Sequence, residues 1–474
     1  MPPLTVTDRD STSMTNAERL RHLPAVDQIL RQHDVALISD AYSRPQLIAW
    51  IRMAVDECRR EILRGAKLDK KSAMQCVIRG TLHQCQLEDG RRQTSVINAT
   101  GILLHTNLGR APLAARAIQR MVQSAGYANV EMDLRSGKRN HRGERIFDLL
   151  AQLTGAEDAV VVNNCAAATI LVLQVMAAGK EVIVSRGQLV EIGGGFRLPE
   201  VFAASGAVLR EVGTTNRTYL RDYEHAIGEN TGAIIRVHRS NFFQGGFVTE
   251  PDIAELISLG KQRGVPVIDD LGSGCIKDLS KFGLKEPAVT DSVAAGADLA
   301  LFSGDKLFGG PQAGIVVGKA KLVKLLRRHP MMRALRTDKM TLAAIEATAE
   351  IHLSGNPMQE LPLLQMLSKT VADVRTDCKR VLERLPAAVA NRIEICECTS
   401  SVGGGSVPGS QIASCGLVLN VENNDAVAKS FRTGSPAVVP RIHNDAIMLD
   451  LRTVDATQLD ALAVRVEECL TPGQ

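Results

Sequence analysis

Aromatic residues are scarce in this chain: one Trp, four Tyr and ten Phe make up 3% of 474 residues. That composition argues against a nucleic-acid binder built on stacked aromatics. It also requires a core of Ala, Val, Leu and Ile, which suits helices packed on a mostly parallel sheet. Long apolar runs are missing too. The greasiest stretch, 166–179, is interrupted by Thr169 and Gln174 and is too short to span a bilayer, so it reads as a buried helix and no membrane partner is expected. The ten cysteines are scattered. Their one close pair, Cys396 and Cys398, lacks the spacing of a zinc knuckle or a redox dithiol, which points to a reduced, cytoplasmic compartment and no metal. The opening MPPLTVTDRDSTSMTNAERL has no apolar run behind its charges and does not read as a secretory signal. A net charge of +4 allows an acidic partner such as RNA without identifying one.

What is present is ordinary globular material, 45% hydrophobic and 23% charged, in a length that calls for two or three domains. Residues 1–93 read as a helical domain, since ERLRHLPAVDQILRQHD and RPQLIAWIRMAVDECRREILRGA both repeat apolar residues at helical spacing. Its second half collects Arg59, Arg60, Arg64, Lys67, Lys70, Lys71, Arg79, Arg91 and Arg92. Residues 94–350 change texture. Short β-branched runs at 159–163, 181–185, 207–212, 233–238, 265–270, 299–304 and 313–318 alternate with helical patterns, the signature of an α/β fold with a largely parallel sheet. A long helix begins near Thr341, and 351–474 read as a small α+β domain with strands in 413–422 and 446–454. The Gly-rich SVGGGSVPGS (401–410) reads as a loop.

The segment SGDKLFGGPQAG (303–314) places Lys306 just beyond a buried strand among small residues that let a cofactor approach. Ser303 can donate its hydroxyl to a phosphate, and a desolvated lysine there can act as an imine-forming amine. In VPVIDDLGSG (265–274) an apolar run ends in two carboxylates. Pyridoxal 5′-phosphate (PLP) needs such a carboxylate to keep its ring nitrogen protonated. Asp270 is the preferred partner and Asp269 the alternative, because a one-residue change of register exchanges the two faces. In VVNNCAAATILVL (161–173) a strand gives way to a helix whose first residues, Asn164, Cys165 and Ala166, offer backbone amides to a phosphate. Arg110, with Arg333, Arg336 and Lys339 recurring every third residue in MMRALRTDKM, forms a candidate anion site, the last three along one helical stripe.

Together these pieces resemble a known family almost end to end. LRHLPAVDQIL, INATGILLHTNLGRAPL, SRGQLVEIGGGFRLPEVFAASGA, EVGTTNRT, DLGSG, SGDKLFGGPQAGIVVGK and HPMMRALRTDKMTLAAIEAT resemble the bacterial selenocysteine synthases, the L-seryl-tRNA(Sec) selenium transferases. The resemblance implies the aspartate-aminotransferase type of PLP fold (fold type I), a tRNA-binding N-terminal domain and a homodecamer, a ring of five dimers. It implies Lys306 as the Schiff-base lysine, Asp270 as the pyridine partner, and Arg110, Arg333 and Arg336 as ligands of selenophosphate. The expected reaction eliminates the serine hydroxyl of seryl-tRNA(Sec) and adds selenium, with Lys306 or Asp305 as the acid. Three departures stand out: HRSN (238–241) where the family has HTSN, Cys165 in place of a smaller residue, and the 401–410 segment, which is peculiar to this chain and expected to affect packing only. The alternatives are a PLP lyase or desulfurase-like enzyme acting on a free amino acid, and a tRNA-binding protein without catalysis.

Overall fold

The computed structural model describes residues 15–471 except Gly194. The reading of the first fourteen residues therefore lies outside the described chain. Two compact units divide at Ser95 and Val96.

The first unit is helical. Three short helices, Asn16–Leu20, Val26–Leu30 and His33–Leu37, accompany two long ones, Arg44–Leu63 and Lys70–Asp89. The long pair buries Ile51, Cys58 and Ile62 against Ala73, Val77 and Ile78, residues at the spacing that puts them on one face of each helix. Their backbones approach closely at Gly80, where a Cβ would lie 2.8 Å from that of Ala54. Asp69 starts the second long helix by accepting from the Ser72 amide at 2.7 Å. The cations are of two kinds. Arg59 and Arg60 pair with Asp56 and Glu57 on their own helix, whereas Arg64, Lys67, Lys70 and Lys71 stand exposed around the turn between the long helices.

The second unit carries fourteen strands: β1 Val96–Ala99, β2 Asp158–Val162, β3 Glu181–Ser185, β4 Glu191–Ile192, β5 Phe196–Arg197, β6 Val208–Val212, β7 Thr231–Val237, β8 Val267–Gly272, β9 Leu299–Ser303, β10 Gly314–Gly318, β11 Ile393–Ser400, β12 Ile412–Leu419, β13 Ala437–His443 and β14 Ala446–Asp450. Seven form the main sheet in the order β2-β10-β9-β8-β7-β3-β6, and each matches a run legible in the sequence. Six of its strands point the same way; β10 alone runs against them, antiparallel to both neighbours. The reason is length: the 304–313 connection is too short for a right-handed crossover, so the chain must turn back. Lys306 lies in that turn. Because β2 and β9 both run against β10, the carboxyl ends of β2, β7, β8 and β9 open on the same edge, where open α/β sheets place their sites. The helix Cys165–Ala177 is apolar all round and buried between sheet and outer helices, as its sequence predicts.

The small sheet runs β1-β13-β14-β12-β11. Its first strand changes the domain boundary expected at 94–350: β1 pairs in parallel with β13, and Thr453 donates to the Asn98 carbonyl at 2.7 Å, so the segment after Ser95 opens the C-terminal layer. No local pattern shows this, because the partner strand lies near the other end of the chain. Cys396 and Cys398 are alternate residues of β11, and all ten cysteines are free thiols. The helix expected from Thr341 spans Lys339–Ser354, capped by Asp338 and closed by Gly355. The single stripe expected for Arg333, Arg336 and Lys339 does not exist. Arg333 ends the helix Met331–Ala334, Arg336 sits in an extended bridge to Val162, and Lys339 begins the next helix. Asp338 is the cause, since its side chain takes the amides of Met340 and Thr341 and starts a new helix there. Among the described residues no helix is long and apolar enough to cross a membrane.

Candidate active site

At the carboxyl edge of the main sheet a cavity of about 300 Å³ is lined by Lys306, Asp270, Ser303, Asn164, Cys165 and Ala166 together with Arg110. All but Arg110, which follows the short helix Thr106–Leu108, arrive from strand ends or the segments that follow them. Asn164 ends the turn after β2 and caps the Cys165–Ala177 helix, its Oδ1 accepting from the Ala167 amide at 2.8 Å. The amides of Cys165 and Ala166, in the helix's first turn, have no partner within the helix. The helix start rests directly on β10: a Cβ on Gly314 would fall 2.1 Å from the Asn164 carbonyl oxygen.

Of the two carboxylates at the end of β8, Asp269 points away from the cavity. It takes both ends of the Arg236 guanidinium at 2.7 Å and also accepts from Ser292. Asp270 lines the cavity and accepts from the Thr169 hydroxyl at 3.1 Å. Burial pushes its carboxyl up to about 6, against the Thr169 hydrogen bond and the Lys306 charge, which hold it down. Such an acid gains from a cation placed beside it. Lys306 is 5% exposed, and burial is the main force lowering its ammonium below the usual lysine range, with Arg110 acting the same way. Its Nζ donates to the Gly405 carbonyl at 3.3 Å. Burial raises the Cys165 thiol, which therefore stays protonated and is no nucleophile.

These residues fit PLP. Free amides and the Ser303 hydroxyl suit a phosphate, a buried carboxylic acid suits a pyridine nitrogen, and a desolvated amine suits an aldehyde carbon. The donor set has no other evident common ligand.

The remaining expected residues divide. Arg110, held at φ 65, binds Asp305 at 2.8 Å. Asp305 is buried behind that guanidinium and is not among the groups lining the cavity. Arg333 and Arg336 are elsewhere, in a second cavity of about 580 Å³ with Arg142, Arg327 and His329. The structure thus brings one of the three expected arginines to Lys306 within a single chain.

Four contributors went unassigned in the sequence. Thr169, noted there only as a break in an apolar run, is one helical turn beyond Cys165 and reaches Asp270. His238 and Ser240 line the cavity, and His238 Nε2 lies 3.3 Å from Glu286 Oε1. The fourth is the 401–410 segment, and the expectation that it affects packing only is overturned. Gly403, Gly404 and Gly405 all have left-handed φ, and a Cβ on Gly404 would lie 2.5 Å from the Leu104 carbonyl oxygen. The loop passes over Lys306, and the Val407 amide donates to Glu286 at 3.3 Å. Consecutive glycines were the available signal.

The chain's relatives identify a family. The family described as L-seryl-tRNA selenium transferase matches residues 96–455, and the family described as selenocysteine synthase N terminal matches 20–59. An L-seryl-tRNA(Sec) selenium transferase of Carboxydothermus hydrogenoformans is 44% identical over 93% of this chain and 96% of its own length. One from Geobacter sulfurreducens is 42% identical over 91% and 95%, and one from Methylocella silvestris 40% over 95% and 99%. Among solved structures, a D-glucosaminate-6-phosphate ammonia-lyase superposes with a TM-score of 0.55 at 21% identity, over 82% of this chain and 97% of that one, a likeness of fold alone. Site, fold and relatives converge: the chain belongs to the L-seryl-tRNA selenium transferase family.

Proposed function

We propose that this enzyme converts seryl-tRNA(Sec) to selenocysteinyl-tRNA(Sec), with PLP as cofactor and selenophosphate as selenium donor. The observation that carries the reading is Lys306, desolvated in a cavity with Asp270 and the Asn164–Ala166 helix start, in a chain of this family. Bound there, PLP supplies an electron sink that acidifies the α-proton of the serine. The amides of Cys165 and Ala166 and the Ser303 hydroxyl would hold the phosphate, and Asp270 would keep the ring nitrogen protonated. Lys306, whose ammonium burial lowers below the usual lysine range, would take the α-proton and return it to the departing β-hydroxyl. Nζ faces the cavity, whereas Asp305 stands behind Arg110, so Asp305 serves to orient the guanidinium that meets selenophosphate.

Arg333 and Arg336 join Arg110 only where a neighbouring copy supplies them, which makes assembly part of the proposal: a ring of five dimers, checked by sedimentation. The N-terminal unit binds the tRNA through Arg64, Lys67, Lys70 and Lys71; charge reversal there should weaken tRNA binding and flatten its salt dependence. Free thiols and a tRNA substrate support a cytoplasmic reading.

The test is conversion of purified seryl-tRNA(Sec) in the presence of selenophosphate, with a serine-isoacceptor seryl-tRNA and free serine as controls. Conversion of the first alone is expected. Turnover of free serine at a comparable rate would replace the reading with a lyase-like one.

A further inference from the structure

In a chain with ten Phe, three fall within 242–247, and they are not buried. Phe242 is 40% exposed, Phe243 79% and Phe247 82%. Their loop is nonetheless held in place. Asn241 donates to the Glu191 carbonyl at 2.6 Å, Gln244 to the Thr215 carbonyl at 2.8 Å, and Asn216 to the Phe247 carbonyl at 2.7 Å. The Thr249 amide bonds the Asn216 carbonyl at 3.0 Å. Polar side chains and backbone thus pin the loop to 215–216 while its rings stay in water. Exposed aromatics on an anchored loop mark a binding surface.

Charge and position identify what binds. The Arg217 guanidinium lies 5.5 Å from the Phe247 ring centre, and that of Arg221 lies 4.7 Å from the Tyr219 ring, so cations and rings share one surface. Phe242 and Phe243 line a cavity of about 500 Å³ that also contains Arg239 and Lys285. That cavity shares Val237 and His238 with the Lys306 cavity, which sets the platform beside the site of chemistry. Exposed rings interleaved with arginine are the chemistry that holds unpaired nucleotides, stacking their bases and neutralising their phosphates.

We infer that the 240–249 loop is a stacking platform for the unpaired 3′ end of the RNA that delivers the serine. This rests on the function proposed above and adds how the aminoacylated end is held at the cavity mouth. The low aromatic content that argued against such a surface is an average over the chain. Locally the rings are concentrated.

The experiment uses the full-length enzyme without selenophosphate, so no turnover is read. The probe is tRNA(Sec) carrying 2-aminopurine in its unpaired 3′ segment, beside a tRNA trimmed of that segment. Wild type should quench the fluorescent base on binding. The Phe243→Leu/Phe247→Leu protein, which keeps apolar bulk but no π-face, should lose the quenching and bind the intact tRNA about tenfold more weakly. Tyr at both positions should restore both signals, and the trimmed tRNA should bind all three proteins equally. Quenching and affinity in the Leu protein equal to wild type would overturn the platform. So would a changed sedimentation coefficient of the RNA-free Leu protein, which would place the rings between protein copies. Intact quenching here, with no conversion of seryl-tRNA(Sec) in the separate selenophosphate assay, would overturn the proposed function alone.

Discussion

Two cationic cavities of the second unit differ in how they treat charge. Around Lys306 the ionic groups are withdrawn from water: Lys306 is 5% and Asp270 8% exposed, and Arg110 is clamped by the buried Asp305. Around Arg333 and Arg336 the cations line a second cavity but keep contact with water: the Arg336 side chain is 40% exposed and its nearest carboxylate, on Glu131, is 4.0 Å away. Desolvated charges interact strongly and can be tuned, so the first cavity suits a group held permanently and activated. Solvated arginines are screened and suit a small anion that comes and goes.

The largest effect should come from Lys306→Ala, with transfer falling by about a thousandfold or more and the visible absorbance of the bound cofactor lost. An unchanged spectrum would sink the assignment. Asp270→Asn should cost about a hundredfold in turnover, and it has a second consequence with a definite sign. Burial pushes the folded carboxyl up to about 6, above the usual aspartate range, so between the two the native state binds a proton that the unfolded chain has released. Stability of the cofactor-free protein therefore falls as pH rises through that window. Asn removes the fall, and at pH 7 the cofactor-free variant should be more stable by about 3 kcal/mol in denaturant titrations.

The second cavity should respond differently. Arg333→Ala and Arg336→Ala should each raise the KM for selenophosphate about tenfold and leave the cofactor spectrum untouched, the loss expected for one charge-assisted contact. A spectral change in either would erase the distinction between the two cavities. The smallest effect is expected of Gly405→Ala, at φ +72 and with its Cβ 3.5 Å from Lys306 Nζ. About 1 kcal/mol of stability should be lost, with a few-fold slower turnover.

Much of the site was legible because its residues lie at strand ends that announce themselves. The apolar run 299–303 ends at Ser303, and Lys306 must follow in the turn; the run before Asp269 and Asp270 ends equally sharply. Which aspartate faced inward was not legible, because two adjacent carboxylates differ only in the face of the sheet, and Arg236 on a neighbouring strand settles that. The arginine stripe failed for a local reason, the helix start imposed by Asp338. The glycine triplet over Lys306 read only as a loop, since its contacts are with Leu104 and Lys306, far away in sequence.

Strand identity, the mainly parallel sheet and the lysine-bearing turn followed from the sequence alone, because period, length and turn chemistry act between near neighbours. Only the tertiary structure decided that β1 joins the C-terminal layer, that Asp270 meets Thr169, that Gly405 covers Lys306, and that Arg333 and Arg336 lie outside the Lys306 cavity. Each of these depends on residues distant in the chain brought within a few ångströms, and neither spacing nor composition encodes such a meeting.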